Sequence, residues 1–194
     1  STVFFGSGTR LLAVAVISDR IKPTTPAALS ELRALGLEIC MLTGDGRKTA
    51  ASIAAELGIG RYEAEVLPAD KDQFIRRLQA EGRTVAMVGD GINDSQALSR
   101  ADVSIAMGRG TDIAMEVAMV TLMNSDLLLV PRAYKLSRDT VRAIRQNLFW
   151  AFVYNVVGIP IAAGVLYPVW GILLNPMLAS AAMAFSSVSV VLNS

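Results

Sequence analysis

The residues able to do chemistry in this 194-residue sequence gather in three short stretches. The first, Met87–Asp94, reads Met-Val-Gly-Asp-Gly-Ile-Asn-Asp and concentrates Asp90, Asn93 and Asp94 where an apolar run ends. The second, Thr43-Gly44-Asp45, closes the apolar run 37–42, and the third is Lys71, shortly after Pro68. A lysine, hydroxyl and amide donors, and carboxylates are the parts that stabilise a phosphoryl group in transfer, where charge spreads over the equatorial oxygens. Mg2+ takes one or two carboxylates with phosphate oxygens and water, which suits Asp90 better than a full protein cage. Taken singly, each stretch is also ordinary turn, cap or surface chemistry. No nucleophile has a clear claim: Asp19 ends an apolar run, but no Lys-Thr-Gly follows it.

These residues need a scaffold that brings strand ends together. Runs 2–5 and 11–17 flank Gly6-Ser7-Gly8-Thr9 and are expected to pair as a hairpin. After Pro23 and Pro26, apolar periodicity predicts helices over 27–35, 48–57, 68–82, 96–98 and 111–118. Strands are expected at 37–42, 62–66, 84–88, 103–106 and 120–123. This alternation argues an α/β fold with a parallel Rossmann-like sheet and helices on both faces. The candidate residues then sit at the carboxyl ends of strands, where such sheets bind ligands.

Composition excludes several functions. A net charge of +1 with no long basic run outside 126–146 leaves no nucleic-acid footprint. The single cysteine, Cys40, excludes an internal disulfide and is expected to be a buried strand residue; with no histidine, zinc sites of Cys and His cannot be built. The N-terminus lacks an initiator Met and a signal peptide, and reads as a cut inside a longer protein.

None of the 18 Lys and Arg or the 17 Asp and Glu residues lies beyond Arg145. Residues 147–194 are therefore expected to form a transmembrane hairpin, with helices at about 148–167 and 172–192, since about 20 apolar residues cross a bilayer core. A basic helix at 126–146, carrying Arg132, Lys135, Arg138, Arg142 and Arg145, precedes the first span. By the positive-inside rule the α/β half is cytoplasmic. The bland reading is a buried hairpin in a soluble protein. Tyr154 and Asn155 fall mid-span before Pro160; Met183 and Ser187, at i and i+4, share a side of the second helix. Polar groups at that depth point to function, and a thioether is a soft ligand matched to Cu(I). Helix packing is the competing reading, and physics alone favours it.

Met41-Leu42-Thr43-Gly44-Asp45, Leu67-Pro68-Ala69-Asp70-Lys71, Val88-Gly89-Asp90-Gly91-Ile92-Asn93-Asp94 and Gly108-Arg109-Gly110-Thr111-Asp112 together resemble, in order and spacing, the phosphorylation domain of P-type ATPases. These pumps belong to the haloacid-dehalogenase-like superfamily. The resemblance implies that Thr43, Gly44 and Asp45 contact the phosphoryl group and Lys71 neutralises it. It also implies that Asp90 ligates Mg2+, with Asp94 on the same magnesium-holding side, and that Asn93 and Asp94 support the site. It makes 1–17 the end of a nucleotide-binding domain and 18–125 the C-terminal part of the phosphorylation domain. The family's Asp-Lys-Thr-Gly nucleophile would lie upstream, with most of the ATP site. Gly46 stands where the family usually has Asn.

Tyr154-Asn155 and Met183-Ala184-Phe185-Ser186-Ser187 further resemble the copper-exporting, heavy-metal (type IB) branch. Tyr154, Asn155, Met183 and Ser187 would then contribute to the path of a transported Cu(I). The resemblance implies an integral protein of the plasma membrane whose partners are membrane lipid, the remaining domains of the same pump and a copper chaperone, and no nucleic acid. Two other readings stay open: a membrane-anchored phosphatase of the same superfamily, and a truncated, non-catalytic pump.

Overall fold

The computed structural model describes residues 2–16, 20–89, 92–108, 116–163 and 167–171. It divides into two units, Ser1–Pro131 and Arg132–Ser194.

The first unit opens with the expected hairpin: β1 (Thr2–Ser7) pairs antiparallel with β2 (Arg10–Val16), with a register shift at Phe5/Gly6. Alternating α and β elements follow, α1 (Thr25–Ala34), β3 (Cys40–Leu42), α2 (Arg47–Leu57), β4 (Arg61–Glu63) and α3 (Pro68–Ala80). Then come β5 (Ala86–Gly89), a 3-10 turn at Ile92–Asp94, α4 (Ser95–Arg100), β6 (Val103–Met107) and β7 (Val120–Leu122). Proline opens α1 and α3, where its missing N–H costs nothing. Gly58, at φ +64°, closes α2 in the left-handed conformation, and Arg33 of α1 donates to the exposed carbonyls of Leu57 and Gly58, both at 2.8 Å.

All strand pairs after the hairpin are parallel, as the alternation predicts. Among the described residues the parallel strands fall into two groups, β3-β4 and β5-β6-β7. Among the described residues no strand hydrogen-bonds to both β3 and β5, so each pairs on one side only. Strand 37–42 is also shorter than expected: Gly36 turns left-handed at φ +80° and delays pairing until Cys40. Leu32 and Leu127 pack against the core of α1, α2 and Ile59 and also against that of β6 and Val130, so apolar contact bridges the two sheets. Ile75 and Leu98 are almost wholly buried under β5 and β6, each contributing about 2 kcal/mol by removal from water. The Arg61 guanidinium stands 5.4 Å from the Phe74 ring, fastening β4 to α3, and Arg77 of α3 itself lies 5.2 Å from the same ring. Burial in this body pushes the half-buried Cys40 thiol up from its ordinary pKa, so it is a packing group rather than a reactive thiolate. Asp102 is held below the usual carboxylate range by the Val85 N–H, which donates to its Oδ2 at 2.8 Å and pins the start of β5 to β6.

The second unit is dominated by α5, which runs from Leu129 to Ala162, and a short α6 (Tyr167–Trp170) follows. The helix starts later than expected because the Asp126 carboxylate is engaged in a turn, accepting from Thr24 Oγ1 at 2.7 Å and from the Leu128 N–H at 3.1 Å. It continues well past Gln146, with Pro160 inside its last turn. Of the hairpin expected at 148–167 and 172–192, only the part up to 163 and residues 167–171 are described. No helix among the described residues is long and apolar enough to cross a membrane. The charge-free part of α5 begins only after Arg145 and contains Asn147 and Asn155, which dilute its hydropathy before Ala162. Residues 172–192 lie outside the described residues, as does most of the helix expected over 111–118.

Candidate active site

Lys71 and Asp94, distant in sequence, form the shortest ion pair among the described residues. Lys71 lies in the first turn of α3 and Asp94 closes the 3-10 turn after β5. The Lys71 Nζ donates to Asp94 Oδ1 at 2.6 Å, with side-chain exposures of 14% and 11%. At that burial neither charge could be left single without a large desolvation penalty. The first turn of a helix ordinarily favours acids, and Asp70 satisfies that preference by accepting from the Leu67 N–H at 3.2 Å. Lys71 is thus turned away from its own helix end toward the β5 loop.

The remaining Asp94 oxygen is folded back over β5. A Cβ placed on Gly89 would meet Asp94 Oδ2 at 2.8 Å and Asp94 Cβ at 2.9 Å, so only glycine lets the carboxylate sit there. Gly89 ends β5, and its requirement comes from this tertiary contact, which no local signal announces. Asn93 is exposed on the same turn. Asp90, Gly91 and Arg109–Asp112 lie outside the described residues.

The Thr43-Gly44-Asp45 loop is built differently. The Thr43 hydroxyl donates to Asp45 Oδ2 at 3.0 Å and accepts from the Asp45 N–H at 3.1 Å. Backbone bonds knit this loop to the one after β4: Thr43 N–H to Glu63 O, Glu65 N–H to Asp45 O and Val66 N–H to Thr43 O, between 2.9 and 3.0 Å. Glu65 takes a left-handed φ of 59° to make the middle bond, a strained position for a side-chain-bearing residue and one the sequence did not single out. Gly46, the departure from the usual Asn, occupies the N-cap of α2 without a side-chain cap bond.

No hydrogen bond or ion pair among the described residues joins Thr43 or Asp45 directly to Lys71 or Asp94. The link is indirect and continuous. Val66 holds Thr43, the next residue caps α3, α3 carries Lys71, and Lys71 holds Asp94. A cation, a hydroxyl and carboxylates thus sit on one connected set of loops at the carboxyl ends of parallel strands. In the second unit, Tyr154 is partly exposed with its ring 6.4 Å from that of Trp150, and the Asn155 amide donates to Ala151 O of its own helix at 2.8 Å. Met183 and Ser187 lie outside the described residues.

This arrangement and fold define a haloacid dehalogenase-like domain. A family model described as "Hydrolase: haloacid dehalogenase-like hydrolase" matches residues 1–102, and the chain belongs to that family. It is homologous over its full length to P-type ATPases. It is 51% identical over 193 residues, all of this chain, to the "Copper-exporting P-type ATPase" of Legionella pneumophila subsp. pneumophila, of which it spans 26%. To the "Silver exporting P-type ATPase" of Salmonella typhimurium it is 53% identical over 193 residues, again all of this chain and 23% of the relative. A solved zinc-transporting PIB-type ATPase in its E2.Pi state superposes with a TM-score of 0.79 at 35% identity, over 94% of this chain and 29% of that one. The chain therefore spans about a quarter of the relatives it matches.

Proposed function

We propose that this chain is the C-terminal part of an ATP-driven Cu(I) export pump working through an aspartyl-phosphate intermediate, with the phosphorylated aspartate upstream. The buried Lys71–Asp94 pair behind the β5 loop carries the reading, because it holds a cation where a transferred phosphoryl group needs one. Lys71 neutralises phosphoryl charge, and Asp94 keeps its ammonium in place. Thr43, Gly44 and Asp45 offer hydroxyl and amide donors to the phosphoryl oxygens, and Asn93 supports the loop from its exposed side.

The donor set also fits Mg2+. The ion needs few protein carboxylates when phosphate oxygens and water complete its shell; one Asp94 oxygen already accepts from Lys71, and Asp90 would be the chief carboxylate to hold the ion. Bound there, Mg2+ would offset negative charge on the phosphoryl oxygens. The unpaired edges of β3 and β5 support a further strand from upstream in the parent chain as the bearer of the nucleophile.

For the ion, the names of the copper- and silver-exporting relatives support a soft monovalent cargo. So does the lack of Asp and Lys throughout 146–194. Met183 would be the softest donor, with Tyr154, Asn155 and Ser187 along the same path. Residues 147–194 would form two spans of the plasma membrane, with the α/β unit in the cytoplasm. Lipid, the rest of the pump and a copper chaperone would be its partners. The test is to label the parent pump with γ-phosphate-labelled ATP and map the acid-stable label. We expect Cu(I)-stimulated label outside 1–194; label on any aspartate of this chain would sink the upstream nucleophile.

A further inference from the structure

We propose that one face of α5 is a docking surface for anionic phospholipid headgroups; this rests on the reading that the chain enters a bilayer after Arg145. Tyr134, Arg138, Arg142, Arg145 and Phe149 recur at intervals of three and four residues, so they stack along one helical face. With Trp150 at its flank, this face forms a shallow recess open to its surroundings. The recess is cationic at one end and aromatic at the other.

The charge on this face is not balanced from within. Arg138, Arg142 and Arg145 line this face, and the one acid within α5 is Asp139. Asp139 reaches Arg142 at 3.7 Å, with both side chains more than 60% exposed, which is a weak, screened pair. Arg138 and Arg145 form no ion pair among the described residues. Like charges one turn apart repel, so the face calls for an anion from outside. Guanidinium forks match phosphate oxygens bidentately, and three on one stripe offer more than one phosphate position.

The aromatic end indicates which anion. Phe149 and Trp150 are 60% and 49% exposed and meet edge to face at 5.5 Å. At the helical rise, Phe149 lies about 6 Å beyond Arg145, the distance between a phosphate layer and the acyl boundary beneath it. A dissolved polyanion would leave these rings in water, whereas a bilayer takes up both ends at once. Basic clusters immediately before an uncharged run recruit acidic lipid for the same reason, and aromatic residues settle at headgroup depth.

The experiment uses the whole chain with Trp170→Phe, which leaves Trp150 as its one tryptophan, reconstituted into mixed vesicles of phosphatidylcholine and phosphatidylglycerol. Bromines near the headgroup end of the acyl chains are carried by one lipid or the other at equal mole fraction. Trp150 fluorescence should be quenched at least about twofold more when the anionic lipid carries the bromine. Replacing Arg138, Arg142 and Arg145 together by Gln should abolish that preference without changing total quenching. Equal quenching by both lipids in the unsubstituted face overturns the headgroup site and leaves membrane entry standing. Absence of quenching by either lipid overturns membrane entry, and this inference with it. Loss of the preference on adding inorganic phosphate would mark a plain anion site instead and also overturn the lipid assignment.

Discussion

The loop after β3 and the loop after β5 carry matching parts of one site, yet they are held by opposite means. Thr43 and Asp45 satisfy each other within a turn and lean on neighbouring backbone, largely in contact with water. Asp94 is buried, and its partner comes from another helix. The first loop can therefore adjust to a ligand at little cost, while the second is fixed by the fold before any ligand arrives. On the proposed reading, a site that binds a phosphoryl group and must later let it go benefits from one rigid wall and one compliant wall.

The contrast can be broken most sharply at Lys71. Lys71→Met leaves Asp94 as a buried, unpartnered charge and should destabilise the chain by about 3 kcal/mol in urea unfolding. Adding Asp94→Asn should recover more than half of that loss. A single-variant loss below about 1 kcal/mol would mean that the pair is as loosely held as an exposed one. Gly89→Ala should come next, at about 2 kcal/mol, because its methyl must displace the Asp94 Cβ and not merely a flexible tip. If Gly89→Ala unfolds at the same urea concentration as the parent, the close approach of Asp94 to β5 is wrong. Smallest is Thr43→Val, which removes exposed local bonds and should cost less than about 1 kcal/mol. A loss equal to that of Lys71→Met would erase the distinction between the two walls.

The same contrast governs what was legible beforehand. Apolar runs ending in Gly or Thr, with prolines opening helices, were enough to predict the hairpin, the alternation and the parallel pairing, because those signals are local. Lys71 was legible as a candidate cation of the site, but not the anion it pairs with in the fold. That the anion was Asp94, and that Gly89 makes room for it, depends on side chains meeting across a fold. Glu65 was missed for a similar reason, since its strained φ exists only because the loop after β4 must reach Asp45. The start of α5 slipped because Asp126 was spent on Thr24, a partner from the far end of the domain.

That last contact has a topological consequence. Lys22 Nζ donates to Ser125 O at 2.8 Å beside the 2.7 Å bond from Thr24 to Asp126, so the incoming and outgoing chain meet at a neck. Everything between, from α1 to β7, is strung on the polypeptide as a closed loop with its two ends a hydrogen bond apart. A body joined in this way is a cassette: it can be exchanged between parent chains at 22–24 and 125–126 without either flanking segment having to change its course.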